Sequence, residues 1–155
     1  MGGTAALTFA ALHPDIVAGV CSLNGTANLV EFVGFQDAIA ASFGGTKTEV
    51  PEEYRRRSAE LRSELLTMPV AFTTGGKDGI VPPQSVLRLH AKLAADGRKT
   101  LLLHRDGSGH ATNYKDTVAA LEFILHFDAT GRIDEHWSLQ SLPSMPRATP
   151  MMTLG

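Results

Sequence analysis

The 155-residue sequence predicts an α/β fold in which parallel strands carry helices on their faces. Three observations point there. Short, nearly all-apolar runs recur at Ile16–Leu23, Pro69–Thr74 and Thr100–Leu103, as expected of strands buried on both faces. Stretches of helical periodicity separate them, which implies right-handed crossovers and a parallel sheet. The loops after the second and third runs collect turn formers together with Asp78 and His110, and in open parallel sheets the chemistry lies beyond the carboxyl ends of the strands.

Taken in order, Gly2 to Leu12 is rich in Ala and Leu and reads as a helix, stopped at His13-Pro14 because a residue before proline is pushed out of the helical region. The first apolar run ends at Asn24-Gly25, a turn signal. Thr26 to Thr48 has mixed signals and is read as irregular helices and loops. Pro51 to Leu66 is charged and helical in period, with Pro51 suited to a first turn and Glu52 and Glu53 to the positive helix end. Within it, Arg55 to Arg57 are a solvated helix face in preference to an anion site. After the second strand, Gly75 to Pro83 is a loop, and Ser85 to Asp96 carries an apolar stripe that Gly97 ends. Asp106 to Gly109 is a tight turn, and Asn113 to Phe127 is a further amphipathic helix. Residues 1–128 are thus expected to form a partial α/β domain, and 129–155, with Pro143, Pro146 and Pro150, an extended or disordered tail.

Composition removes several function classes. A formal net charge of −2 gives no basic footprint for nucleic acid, and no apolar run reaches the roughly 20 residues of a membrane helix. Cys21 is the sole cysteine, which excludes an intrachain disulfide and a cysteine-based zinc cluster. The N-terminus has no charged segment leading into an apolar one, but if the chain opens inside a domain that is silent about location, the cytoplasm being only the default.

The sequence resembles the α/β-hydrolase family, in particular its prolyl-oligopeptidase-like and esterase branches. Three landmarks in the family's order carry the resemblance between Gly2 and Phe127: Met1-Gly2-Gly3 opening a helix, PVAFTTGGKDGIVPPQS, and LLLHRDGSGH before a helix. The segment YRRRS, Tyr54 to Ser58, adds a weaker likeness to the peptidase branch. The resemblance implies that Asp78 is the acid and His110 the base of a catalytic triad, and that Met1-Gly2-Gly3 is the x-G-G of a G-x-S-x-G-G nucleophile elbow. The serine would then precede Met1, and Met1 would supply a backbone oxyanion donor. The activity this implies is that of an acyl-enzyme serine hydrolase of an ester or peptide, using no metal and no organic cofactor. The 155-residue chain would lack its nucleophile and be inactive alone.

Single residues have plainer readings. Asp78 alone is a loop aspartate making an Asx-turn, and His110 alone a surface histidine near a helix start. Other nucleophiles fail: Cys21 and Ser22 lie in an apolar strand, and Ser108 is too close to His110 for elbow geometry. His104 and His110 lack the further ligands of a metal site, and Gly76-Lys77-Asp78 fails as a phosphate loop. The competing reading is non-catalytic, a truncated or split-gene product serving as a binding module. The first strand as an exposed edge would in either case favour self-association.

Overall fold

The computed structural model describes residues 1–126. Three parallel strands, β1 (Val20–Leu23), β2 (Val70–Gly75) and β3 (Thr100–Arg105), lie side by side in chain order. Val20 pairs with Val70 and Val70 with Thr100, so all three carboxyl ends reach the same side. The helices are α1 (Gly2–Leu12), α2 (Gln36–Phe43), α3 (Pro51–Arg56), α4 (Gln84–Ala95) and α5 (Tyr114–Leu125), with a 3₁₀ segment at Ala59–Leu65. The C-terminal tail expected over 129–155 lies outside the described residues.

Side-chain alternation along β2 divides the core between two faces. Val70 and Phe72 pack with Leu7, Ala10, Val86, Leu89 and Leu93 from α1 and α4. Ala71 turns the other way, onto Leu103 of β3 and Ala119, Ala120 and Phe123 of α5. All six residues of β2 are buried, as a central strand between two helical layers requires. A third cluster, Leu29, Phe32, Ile39, Tyr54 and Val81, lies under the long β1–β2 connection and touches the loop after β2 through Val81.

Two elements depart from the sequence reading. The first strand begins at Val20, not Ile16: residues 14–16 form a turn, and Ile16 is 68% exposed. β1 is also not buried on both faces along its length, since Val20 and Ser22 are buried while Cys21 and Leu23 are partly exposed. The helix expected from Pro51 to Leu66 is two pieces. Ser58 adopts an extended backbone, its hydroxyl donating to Tyr54 O at 2.7 Å and accepting from Leu29 N–H at 2.8 Å, while Glu60 N–H turns to Ala27 O. Bonds to the 27–29 loop therefore replace the helical ladder at the point where the helix would have continued. The region from Thr26 to Thr48 is loop around one regular helix, α2.

Helix α1 reaches the end of β1 because Gly3 has no side chain. A Cβ there would lie 2.5 Å from Leu23 O and 3.0 Å from Gly25 N, both backbone atoms that cannot swing away. Gly3→Ala is expected to push α1 off the strand end and to cost roughly 1–3 kcal/mol, measured as a lower urea midpoint at unchanged m-value.

Candidate active site

Two loops at the carboxyl ends of β2 and β3 meet at Gly75. A Cβ on Gly75 would collide with the carbonyl oxygens of Gly109 and Ser108, and one on Gly76 would come within 2.7 Å of Asp106 O. Bare backbone at both positions lets the loop after β3 lie on the loop after β2. Hydrogen bonds then fasten them, Gly76 N–H to Arg105 O at 2.9 Å and Lys77 N–H to Ser108 O at 2.9 Å.

Asp78 stands directly beyond this junction with its side chain 1% exposed, and its two oxygens have separate duties. Oδ1 accepts the N–H groups of Ile80 and Val81 at 3.0 and 2.9 Å, which is the Asx-turn of the plain reading. Oδ2 receives Nδ1 of His110 at 2.8 Å. Asp78 therefore makes the Asx-turn through one oxygen and meets His110 through the other. Burial by itself raises the carboxyl pKa, but the bonds from Val81, His110 and Ile80 outweigh it and hold Asp78 below the ordinary carboxylate range. An ionised Oδ2 fixes the tautomer: Nδ1 carries the proton, and Nε2 keeps the lone pair. The His110 side chain is 38% exposed, so the imidazole has a buried side on the carboxylate and an open side.

The ends of the histidine loop are tied by an ion pair. Arg105, last residue of β3, donates to Asp116 of α5 through Nε at 3.0 Å and Nη2 at 2.6 Å. Asn113 caps the same helix, its Oδ1 accepting Asp116 N–H at 2.9 Å and its Nδ2 donating to Asp116 Oδ2 at 2.6 Å. The Arg105 bonds lower the Asp116 pKa against the opposing effect of burial, with Asn113 adding to them.

The structure thus brings Asp78 and His110 together. Met1 sits at the N-cap of α1, exposed, its carbonyl accepting Ala5 N–H at 3.0 Å. It lines a cavity of about 320 Å³ with Thr4, Phe9, Ile39 and Phe43. Cys21, Ser22 and Ser42 are each held by burial or by a hydrogen bond. Burial pushes the Cys21 thiol up to about 11, the Ser22 hydroxyl donates to Gly3 O at 3.1 Å, and that of Ser42 donates to Ala38 O at 2.9 Å. His104 bonds Thr74 Oγ1 through Nδ1 at 2.8 Å and pairs with Asp106 through Nε2 at 3.1 Å. Arg55, Arg56 and Arg57 pair with Glu52 and Glu53 on their own helix, and Arg57 also stacks on the Phe43 ring.

Sequence reasoning missed three supports of the site: Gly75, Asn24 and the Arg105–Asp116 pair. A glycine pair after a strand was a visible signal, but read only as turn chemistry. The ion pair joins residues 11 positions apart and Asn24 reaches residues 73 and 112, so neither leaves a local signal.

The model of the prolyl oligopeptidase family matches residues 1–130. Among solved structures, the chain is similar to a puromycin hydrolase, at 25% identity and a TM-score of 0.64, covering 78% of this chain and 19% of that one. It is also similar to an acylaminoacyl peptidase from Pyrococcus horikoshii, at 14% identity and a TM-score of 0.63, covering 91% of this chain and 25% of that one. A third similar structure is a monoacylglycerol lipase from Paleococcus ferrophilus, at 17% identity and a TM-score of 0.54, covering 80% and 65%. The chain therefore spans about a fifth to a quarter of the first two. No curated protein matches it by sequence.

Three outcomes are expected from this geometry. Asp78 and Asp116 both have folded-state pKa values below their unfolded ones, so their stabilisation is complete above the unfolded value near ~4 and lost as pH falls through the folded values. Melting temperature should hold down to about pH 5 and drop below about pH 4. Asp116→Asn should lower stability at neutral pH by roughly 2 kcal/mol and flatten the acid limb of that curve. Gly75→Ala should lever the histidine loop off β2, seen as faster amide hydrogen exchange across residues 106–112 with α1 and α4 unchanged.

Proposed function

We propose, since this chain belongs to the prolyl oligopeptidase family, that residues 1–126 hold the acid and base of a serine hydrolase acting on an ester or peptide bond. The observation that carries the reading is the 2.8 Å contact between His110 Nδ1 and Asp78 Oδ2, made by a buried carboxylate and a half-open imidazole at the carboxyl end of a parallel sheet. The neighbours' names span a peptidase and a lipase, so either bond fits the fold.

In this reading the nucleophile is a serine immediately before Met1, at the apex of the turn into α1. Its support is the opening of α1: the helix starts at Gly2, and Gly3 makes the close approach to the strand end that the elbow's trailing glycine serves. His110 Nε2 takes the serine proton during attack on the carbonyl, and the resulting imidazolium is stabilised by Asp78 through Nδ1–H. The same proton is then delivered to the departing alcohol or amine. This leaves an acyl-enzyme that water, activated by His110, hydrolyses. The N–H of Met1, as a peptide amide of a continuous chain, donates to the oxyanion. Residues 1–126 by themselves supply the proton chemistry without a nucleophile.

The test uses two polypeptides. The 155-residue chain should show no turnover of p-nitrophenyl acetate above its His110→Ala variant and no labelling by a fluorophosphonate. The chain extended through the upstream serine should label stoichiometrically at that serine, and its His110→Ala variant should lose roughly 10⁴-fold or more in kcat/KM. Stoichiometric labelling of the shorter chain at Ser22, Ser42 or Ser108 would overturn the assignment of the nucleophile.

A further inference from the structure

Asn24, the residue after β1, makes contacts that a turn residue does not need. It is 7% exposed, has a left-handed backbone at φ 45°, and continues the ladder by donating its N–H to Thr73 O at 3.0 Å. Its side chain then crosses to the histidine loop. Oδ1 accepts from the hydroxyls of Thr73 at 2.8 Å and Thr112 at 3.1 Å, and these hydroxyls are themselves 2.9 Å apart. Nδ2 points to the carbonyl oxygens of His110 and Gly109, the second at 3.5 Å. Carbonyl oxygens only accept, so the amide NH₂ must be the end that faces them. Two hydroxyl protons are shared among the three contacts of Asn24, Thr73 and Thr112, with Asn24 and Thr73 buried and Thr112 half-buried in the loop after β3.

The set selects asparagine on three counts. The position requires a donor and an acceptor in one planar group, a reach of one methylene, and tolerance of the left-handed region, which asparagine has more than most residues. Aspartate would place a second oxygen against two carbonyls, and glycine would leave the histidine loop with no bond at this point.

We infer that Asn24 is a positioning residue for His110. By gripping the carbonyls of residues 109 and 110 it fixes the backbone from which the imidazole reaches Asp78, acting through the main chain and touching no reacting atom. The inference rests on the reading of Asp78 and His110 as acid and base, but its geometry stands apart from the nucleophile.

The test follows the Nδ1 proton of His110 by ¹⁵N-resolved proton NMR on the 155-residue chain, assigned by its loss in His110→Ala. Asn24→Gly accepts the same φ without strain while removing both sets of side-chain bonds, and Asn24→Asp keeps the acceptor while removing the donor. Both should speed exchange of that proton at least tenfold or abolish its signal. Thr26→Val, a buried change two residues on that leaves the histidine loop alone, should not. In the serine-containing longer chain, Asn24→Gly should lower kcat by at least tenfold with KM nearly unchanged. A folded Asn24→Gly protein, or Asn24→Asp if the glycine variant fails to fold, that retains a wild-type Nδ1 proton would overturn the inference. Loss of the proton in these variants, together with no hydrolysis by the longer wild-type chain, would uphold the positioning role and sink the hydrolase reading instead.

Discussion

Two backbones can touch only where no side chain intervenes, and at the end of β2 that constraint decides the rest of the site. Gly75 lies beneath the carbonyls of Ser108 and Gly109, and Gly76 beneath Asp106. With this contact made, the loop after β3 is laid on the loop after β2 and two main-chain hydrogen bonds lock the overlap. His110 is then one residue from a fixed point, Gly109, and Asp78 is two residues from another, Gly76. The 2.8 Å contact between them needs little further ordering. The strand beneath is buried along all six residues, so the junction rests on the core of the sheet.

Around that junction, charge is arranged so that each buried carboxylate has every oxygen used. Asp78 divides its two between its own loop and the imidazole, and Asp116 offers both to the Arg105 guanidinium, Oδ2 receiving the Asn113 amide as well. A buried carboxylate is tolerable only with such partners, because desolvation otherwise drives it to the neutral form. In Asp78 this outcome has a chemical use. Kept ionised by two main-chain N–H groups, it can hold a proton on His110 Nδ1 without taking that proton itself.

The sheet was legible in the sequence because its signals are local. Strands β2 and β3 are apolar runs closed by dense turn formers, and their loops announced Asp78 and His110 by position. The first strand was overextended because Ile16 and Val17 look like strand residues, while the turn at 14–16 holds Ile16 out in solvent. The long helix from Pro51 was overextended for a different reason. Helical period continues through Ser58, and the bonds that break it come from residues 27 and 29, about thirty positions earlier. Asn24 shows the same limit at the site. Its dipeptide with Gly25 marks the end of a strand, but its partners at 73, 110 and 112 are joined only by the fold.

These supports share a property that bears on how the site is built. Gly75, Asn24, Thr73, Thr112, Arg105, Asn113 and Asp116 all lie between residues 24 and 116, on β2, β3 and α5 or in the residues that flank β1 and α5. None of them depends on the turn into α1 where the proposed serine would stand. The proposed acid and base are therefore fixed to each other by contacts that do not involve the proposed nucleophile. What α1 contributes is a single close contact, Gly3 on Leu23 and Gly25, which sets the helix end beside the strand end that carries Asn24. The start of α1 and the histidine loop thus meet the chain around one residue position: Leu23 and Gly25 receive the helix, and the Asn24 side chain receives the loop. Reactive geometry in this fold can then depend on the strand end as much as on the groups that perform the chemistry.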